Sequence, residues 1–312
     1  MFRKLVITTA AVAAGVAAVP GVAAADIIIG TPAPCVRLSD VTGPDFDVKL
    51  CGVSDVDQYR KGLEADGGSY CGPTSLYNVM HYWAHVKNAP IGWFTTRIGN
   101  LDPQDYADQP VITNSIAKIG ADAKYDLEDG TNLGNLQTAW TNATKPARDA
   151  GWATGQGNVN SSTAVDFAGD LAKRLNVGPL QMSYGRYYAG PKSGSWERDG
   201  GHIVTVVSAK GSFGGDTMQI KIADPGSAAD HGDGNYLYTQ SAYALRDFTL
   251  KKVTFNEYSP VADDPDTATD ESTQPGTYKQ TVRWELVNPF QGETKRVMIE
   301  NYNWFVMAPP VG

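Results

Sequence analysis

The sequence predicts an α+β fold in which a helical layer packs on an antiparallel sheet, and three observations predict it. Up to Gly178 the apolar residues recur at helical spacing. Beyond Gly201 they alternate, which is the period of a strand with two different faces. Between Gly67 and Leu76 a glycine-rich loop, Gly-Gly-Ser-Tyr-Cys-Gly-Pro-Thr-Ser-Leu, runs into a helix with Cys71 at its first turn. The remaining elements can be arranged around that loop-to-helix junction.

Residues 1–25 read as a secretory signal: Arg3 and Lys4, an apolar run from Leu5 to Val19, then Ala23-Ala24-Ala25 as a small-residue cleavage site. Export to an extracellular or periplasmic space is expected, with Asp26 as the mature N-terminus. Residues 26–60 carry Gly-Thr-Pro-Ala-Pro and Thr-Gly-Pro breakers and are expected to lie extended along the surface. Leu76, Val79, Met80 and Trp83 then fall at i, i+3, i+4 and i+7, which predicts a helix from Gly72 to about His85 with His81 and His85 opposite the stripe. Pro73 is compatible with that start, because first-turn amides have no intrahelical acceptor.

From Asn88 to Val159 the chain is rich in Gly, Asn and Asp, with helices expected at Val111–Gly120 and Leu133–Ala147. Ser162 can cap a further helix from Thr163 to Asn176, which Gly178-Pro179 stops. Leu180–Tyr184 reads as a buried strand and Tyr187–Gly201 as a glycine-rich loop. Strands are expected at His202–Ser208, Met218–Ala223, Leu250–Phe255, Tyr278–Val287 and Lys295–Met307. The acidic segment Val261–Gln274 has almost no apolar residues and is expected to be a protease-sensitive loop. Residues 61–260 are thus expected to form the main domain, to which residues 261–312 add the acidic loop and C-terminal strands.

A chain of 312 residues, 42% hydrophobic, can bury a substantial core. Its net charge of −8 argues against phosphate-mediated binding to nucleic acid, and loss of Arg3 and Lys4 with the leader would take it to −10. After the leader no stretch is apolar enough for stable membrane insertion. The three cysteines are Cys35, Cys51 and Cys71. In an oxidising compartment Cys35 and Cys51 can pair across a short loop and leave Cys71 free; three unpaired thiols is the other reading.

A thiol at a helix N-terminus is a candidate nucleophile if a base and an orienting group are near. If the two strands after Gly201 form a hairpin centred near Phe213, residues whose numbers sum to 426 are opposed, and His202 and Asp224 are such a pair. Opposed residues share a face with Cβ atoms about 5 Å apart, so a carboxylate there can hold the imidazole. Cys71, His202 and Asp224 are therefore read as nucleophile, base and orienter.

These residues resemble the papain-like cysteine peptidases, and most closely their bacterial C39-like branch. The resemblance rests on Tyr70-Cys71-Gly72-Pro73-Thr74-Ser75-Leu76, the helix-Gly-Pro-strand at Asn176–Tyr184, Gly200-Gly201-His202-Ile203-Val204-Thr205-Val206 and Ile222-Ala223-Asp224-Pro225-Gly226. It implies a papain-like fold with the cysteine on the central helix and His and Asp on the sheet. It also implies an enzyme that needs no cofactor and attacks the carbonyl of a peptide or protein substrate. Members of the family usually carry a glutamine about six residues before the cysteine, to hold the oxyanion with the cysteine N–H. Position 65 is alanine. Gln58 can take that role beside Cys71 if Lys61–Ser69 forms an inserted loop; otherwise the oxyanion hole is incomplete.

A secreted cysteine peptidase acting through a Cys-His-Asp triad and an acyl-enzyme is the leading reading. A transglutaminase-like acyltransferase or amidase uses the same residue order, and a catalytically silent binding protein keeps the fold without the chemistry. The i, i+4 histidines His81 and His85 lack the glutamate of a zinc-protease helix and are read as a solvated or second-layer pair, so no metal is expected. Asp230–Asn235 has oxygen-rich side chains without calcium-loop spacing and reads as a turn.

Overall fold

The helix expected around Leu76 is α1, Cys71–His81, and it passes into a π turn at Tyr82–Val86. The structure is a computed structural model that describes residues 36–91, 109–226, 245–259, 276–287 and 295–311. From Gly72 to Met80 every residue of α1 is buried, so the helix is enclosed on all sides rather than along one stripe. Burying each of Leu76, Val79 and Met80 contributes roughly 1.5–3 kcal/mol. Two of its buried polar residues are tied to neighbouring segments by side-chain hydrogen bonds. Ser75 Oγ lies 2.9 Å from Thr205 Oγ1, and Asn78 Oδ1 accepts from Ser54 Oγ at 2.9 Å and Val56 N–H at 3.0 Å. His81 and His85 are half-buried, with ring centroids 4.5 Å apart.

The other helices are α2 (Gln109–Asp122), α3 (Leu133–Ala143), α4 (Lys145–Asp149) and α5 (Phe167–Leu175). The helix expected at Leu133–Ala147 is divided at Thr144, because Pro146 has no N–H to continue the ladder and sits in the first turn of α4 instead. The helix expected from Thr163 begins four residues later. Asp166 caps α5 by accepting from Gly169 N–H at 3.0 Å, and its charge suits the helix N-terminus. Ser162 is diverted into a turn in which its N–H donates to Asn160 Oδ1 at 2.8 Å. Val165, read as part of the apolar face, is exposed.

The strands are β1 (Leu38–Asp40), β2 (Asp45–Lys49), β3 (Ala153–Asn160), β4 (Leu180–Ala189), β5 (Trp196–Ser212), β6 (Thr217–Ala223), β7 (Arg246–Ser259), β8 (Thr277–Val287) and β9 (Arg296–Ala308). Around β5–β4–β9–β8–β7–β6 each strand pairs antiparallel with the next, and β6 returns to β5, so the sheet closes on itself. β2 and β1 extend from β5, and β3 lies on β9. The mixed helix and sheet content is α+β, as expected.

Three local expectations differ from the structure. The described part of residues 26–60 is not a surface strap, because Phe46, Val48 and Leu50 alternate inward and Gln58 and Arg60 are buried. The segment Tyr187–Gly201 is the β4–β5 hairpin, closed where Gly190 N–H donates to Ser195 O at 2.9 Å, rather than a loop. β3 was not expected at all; its Ala-Thr-Gly-Gln-Gly-Asn-Val-Asn run has no apolar alternation. The leader, Cys35, Asp230–Asn235 and Val261–Gln274 lie outside the described residues. No helix among the described residues is long and apolar enough to cross a membrane.

The β5–β6 register also departs from the one inferred. Near the turn, Gly211 opposes Met218 and Ala209 opposes Ile220; beyond an irregularity between Val206 and Ser208, Val206 opposes Ile222 and Thr205 opposes Ala223. Val207 is therefore the extra residue of a β-bulge. Its carbonyl is taken up by Leu50 N–H at 2.9 Å. Continued by one pair, the register sets Asp224 opposite Val204 and diagonal to His202. The inferred alignment was in error by two residues, an even number, which leaves His202 and Asp224 on one face.

Candidate active site

Cys71 is placed by the loop before it. The 3-10 turn Glu64–Gly67 folds back so that Arg60 N–H donates to Asp66 O at 3.0 Å, and Tyr70 N–H donates to Gly67 O at 3.0 Å. Gly67 has φ +88°, and a side chain there would meet the Gln58 carbonyl oxygen at 1.8 Å. Only glycine fits that approach. The segment Lys61–Ser69 is thus a folded-back loop between Gln58 and Cys71.

His202 and Asp224 come from the sheet. His202 Nε2 lies 2.6 Å from Asp224 Oδ1, which also accepts Gly226 N–H at 2.9 Å. With Nε2 occupied, the imidazole's other nitrogen is left for Cys71, to which the His202 side chain is hydrogen-bonded. The Cys71 sulfur also receives the backbone N–H groups of Ile203 and Gly72. The sequence-predicted Cys71, His202 and Asp224 are therefore in one contiguous chain of hydrogen bonds.

The electrostatics favour an ion pair. Burial pushes the Cys71 thiol up, but the hydrogen bond and charge of His202 and the two backbone N–H groups outweigh it and hold the thiol below its ordinary value. Burial depresses His202, yet the Asp224 hydrogen bond and charge, with the Cys71 contact, push it up to about 10. Burial likewise opposes ionisation of Asp224, and His202, Gly226 N–H and the Arg246 charge reverse that and lower it.

Gln58 is brought beside these groups, since its backbone N–H donates to Pro225 O at 3.0 Å. Its side-chain nitrogen, however, donates to Gly67 O at 3.0 Å and Gly68 O at 3.2 Å, while Oε1 is buried without a partner. In this state Gln58 holds the loop ahead of Cys71 rather than offering a free donor. The Cys71 N–H, at the first position of α1, has no intrahelical acceptor.

Sequence reasoning missed three supporting residues. Tyr184 pairs directly with His202 across β4–β5, and the two rings meet edge to face with centroids 5.4 Å apart. Gly226 closes over the imidazole; a Cβ there would be 2.5 Å from His202 Cε1. Gln181 Nε2 donates to Gly72 O at 3.0 Å and ties the start of α1 to β4. The Asp-Pro-Gly triplet was a visible signal for a tight turn at 226, whereas Tyr184 and Gln181 become meaningful only once the strand register is known.

Cys51 is disulfide-bonded and Cys71 carries a free thiol; Cys35, its expected partner, is outside the described residues. Among the described residues no group of three or more His, Cys, Asp or Glu is placed to hold a metal. Compared with protein-family models, with curated proteins and with solved structures, the chain matches none of them.

Proposed function

We propose that this protein is a secreted cysteine peptidase of papain-like fold, related to the C39-like branch, which cleaves peptide bonds through Cys71, His202 and Asp224. The observation that carries the reading is the hydrogen-bonded sequence from Cys71 through His202 to Asp224 at the start of a buried helix. Export is supported by the leader pattern and by a disulfide at Cys51, a bond characteristic of oxidising compartments.

In the proposed reaction the Cys71 thiolate attacks the peptide carbonyl carbon, forming a C–S bond and moving the C=O electron pair onto oxygen. The Cys71 N–H faces that developing charge; Gln58 could add a second donor by yielding its longer bond, to Gly68 O. Collapse of the intermediate breaks the C–N bond, and the His202 imidazolium gives its proton to the departing amine. Water then attacks the thioester while His202 takes a water proton. The C–S bond breaks, releasing the carboxylic acid and restoring the ion pair.

Labelling with a broad thiol-directed peptidase probe tests the assignment. The label is expected on Cys71, and alkylation should proceed well below pH 8 because the thiol is held below its ordinary value. A Cys71 that stays inert under these conditions sinks the peptidase reading and favours a silent binding protein. Products carrying an added amine in place of a new carboxylate would favour acyl transfer.

The pH profile carries its own sign. The imidazolium persists up to about pH 10 because Asp224 supports it, so leaving-group protonation is retained on the alkaline side and fails as pH passes that value. Asp224→Asn removes the charge but keeps a group able to orient the ring. The alkaline limb of kcat/KM is expected to move down by about one pH unit or more, with a smaller loss of turnover than at Cys71 or His202. An unmoved limb would show that Asp224 does not govern the His202 proton.

A further inference from the structure

On β4, Tyr184 and Arg186 lie on the same face, and in the β4–β5 register they stand opposite His202 and Gly200. Two residues along a strand are roughly 7 Å apart, so the Arg186 guanidinium lies about one residue pair from the imidazole. Gly200 gives it room; a Cβ at 200 would be 3.1 Å from Arg186 Nη2. Arg186 is half-buried, and its Nε is enclosed without a hydrogen-bond partner. Among the described residues no carboxylate is within ion-pair distance of it, whereas Arg198, Arg283 and Arg296 are each paired with a glutamate.

A guanidinium left partly buried and unpaired next to reactive groups is costly unless an anion completes it. Tyr184 and the half-buried Tyr59 share this neighbourhood: burial raises both hydroxyls, the Asp224 charge adds to that, and the Arg186 charge opposes it. The position relative to the chemistry decides which part of a substrate it meets. Cys71 takes the carbonyl carbon and His202 protonates the amine, so a chain continuing past His202 is the leaving segment. At roughly 3.3 Å per extended residue, Arg186 is reached within the first two residues after the scissile bond.

We infer that Arg186 is the specificity residue of a subsite on the leaving-group side, where its planar fork receives a substrate carboxylate. The inference rests on the peptidase reading for its orientation, though not for the binding itself. The carboxylate can belong to the C-terminus of a short peptide or to an Asp or Glu side chain, since both present the same two oxygens to a guanidinium.

The test uses a casein digest and the same digest with its carboxylates converted to methylamides, with cleavage positions mapped by mass spectrometry. The full mature protein should cut the carboxylate form about 10- to 100-fold faster, the range expected for a charged hydrogen-bonded contact. Cuts one or two residues from peptide ends identify the terminal carboxylate; cuts ahead of internal Asp or Glu identify the side chain. In Arg186→Gln the preference should collapse to about one, and Arg186→Lys should recover part of it. A separate readout is protection of Cys71 from iodoacetamide by Ala-Ala and by Ala-Glu amide, each against dialanine amide. Carboxylate-dependent protection lost in Arg186→Gln, without any turnover, would keep the subsite and remove the peptidase reading. Equal cleavage of both digests, no selective protection, or a preference that survives in Arg186→Gln would overturn the inference.

Discussion

Cys71→Ala is expected to abolish peptide hydrolysis, with a fall in kcat on the order of 10⁴-fold or more, because no other group in the site can form the acyl bond. The stability cost should be small by comparison. The side chain is only partly enclosed, and its principal partner, His202, keeps its bond to Asp224. His202→Ala should cost a comparable factor by a different route. It removes the proton carrier and also the group that holds the thiol below its ordinary value, so alkylation of Cys71 should shift to higher pH. Two measurements on each variant, turnover and the pH dependence of alkylation, separate these effects. Retention of full activity in Cys71→Ala would remove the thiol mechanism altogether.

Gly67→Ala is expected to be the most damaging single change outside the reacting groups. The backbone at 67 is left-handed, and an added Cβ would sit 1.8 Å from the Gln58 carbonyl oxygen and 2.8 Å from its carbon. Neither is the end of a flexible side chain that could move aside. The chain must therefore give up the close approach between residues 58 and 67, together with the Gln58 bonds to Gly67 and Gly68. A destabilisation of about 2–4 kcal/mol is expected, read as a lower denaturant midpoint at unchanged slope. Alkylation of Cys71 should slow as well, since Tyr70 N–H is anchored on Gly67 O immediately ahead of it. An unchanged midpoint would mean that the loop accommodates the methyl group elsewhere.

Much of this arrangement is legible in residue order because the strongest signals are local. Leu76, Val79 and Met80 announce α1 whatever encloses it, and Ile112, Ile116 and Ile119 do the same for α2, where all three are buried. The Cys71, His202 and Asp224 assignment needed only a helix start and a hairpin. Legibility fails where partners are distant in sequence. Among the described residues β3 pairs with no strand but β9 and carries no pattern of its own, so its existence depends on Trp304 and Phe305, about 150 residues away. The inward alternation of Phe46, Val48 and Leu50 was present but short, and Gly43, Pro44 and the aspartates beside it read as loop. Arg186, Tyr184 and Gly226 acquire roles only through strand pairing and close approach, which composition and periodicity do not encode.

The bulge at Val207 has a further consequence for how this chain can vary. Ala209 and Val206 both oppose inward-facing isoleucines, Ile220 and Ile222, although an uninterrupted strand would put residues three apart on opposite faces. Without the extra residue, Ile203 and Thr205 would take the face now held by His202 and Val204, and Asp224 would be left looking at the wrong side of β5. Position 207 can therefore exchange its side chain for another of similar size with little effect on Cys71, His202 and Asp224, whereas shortening the chain there by one residue would separate His202 from Asp224. What the site demands of position 207 is that it be counted. Substitution histories and length histories should diverge at this point in the chain, with apolar side chains of similar size exchanging at the buried position 207 while insertions and deletions are refused.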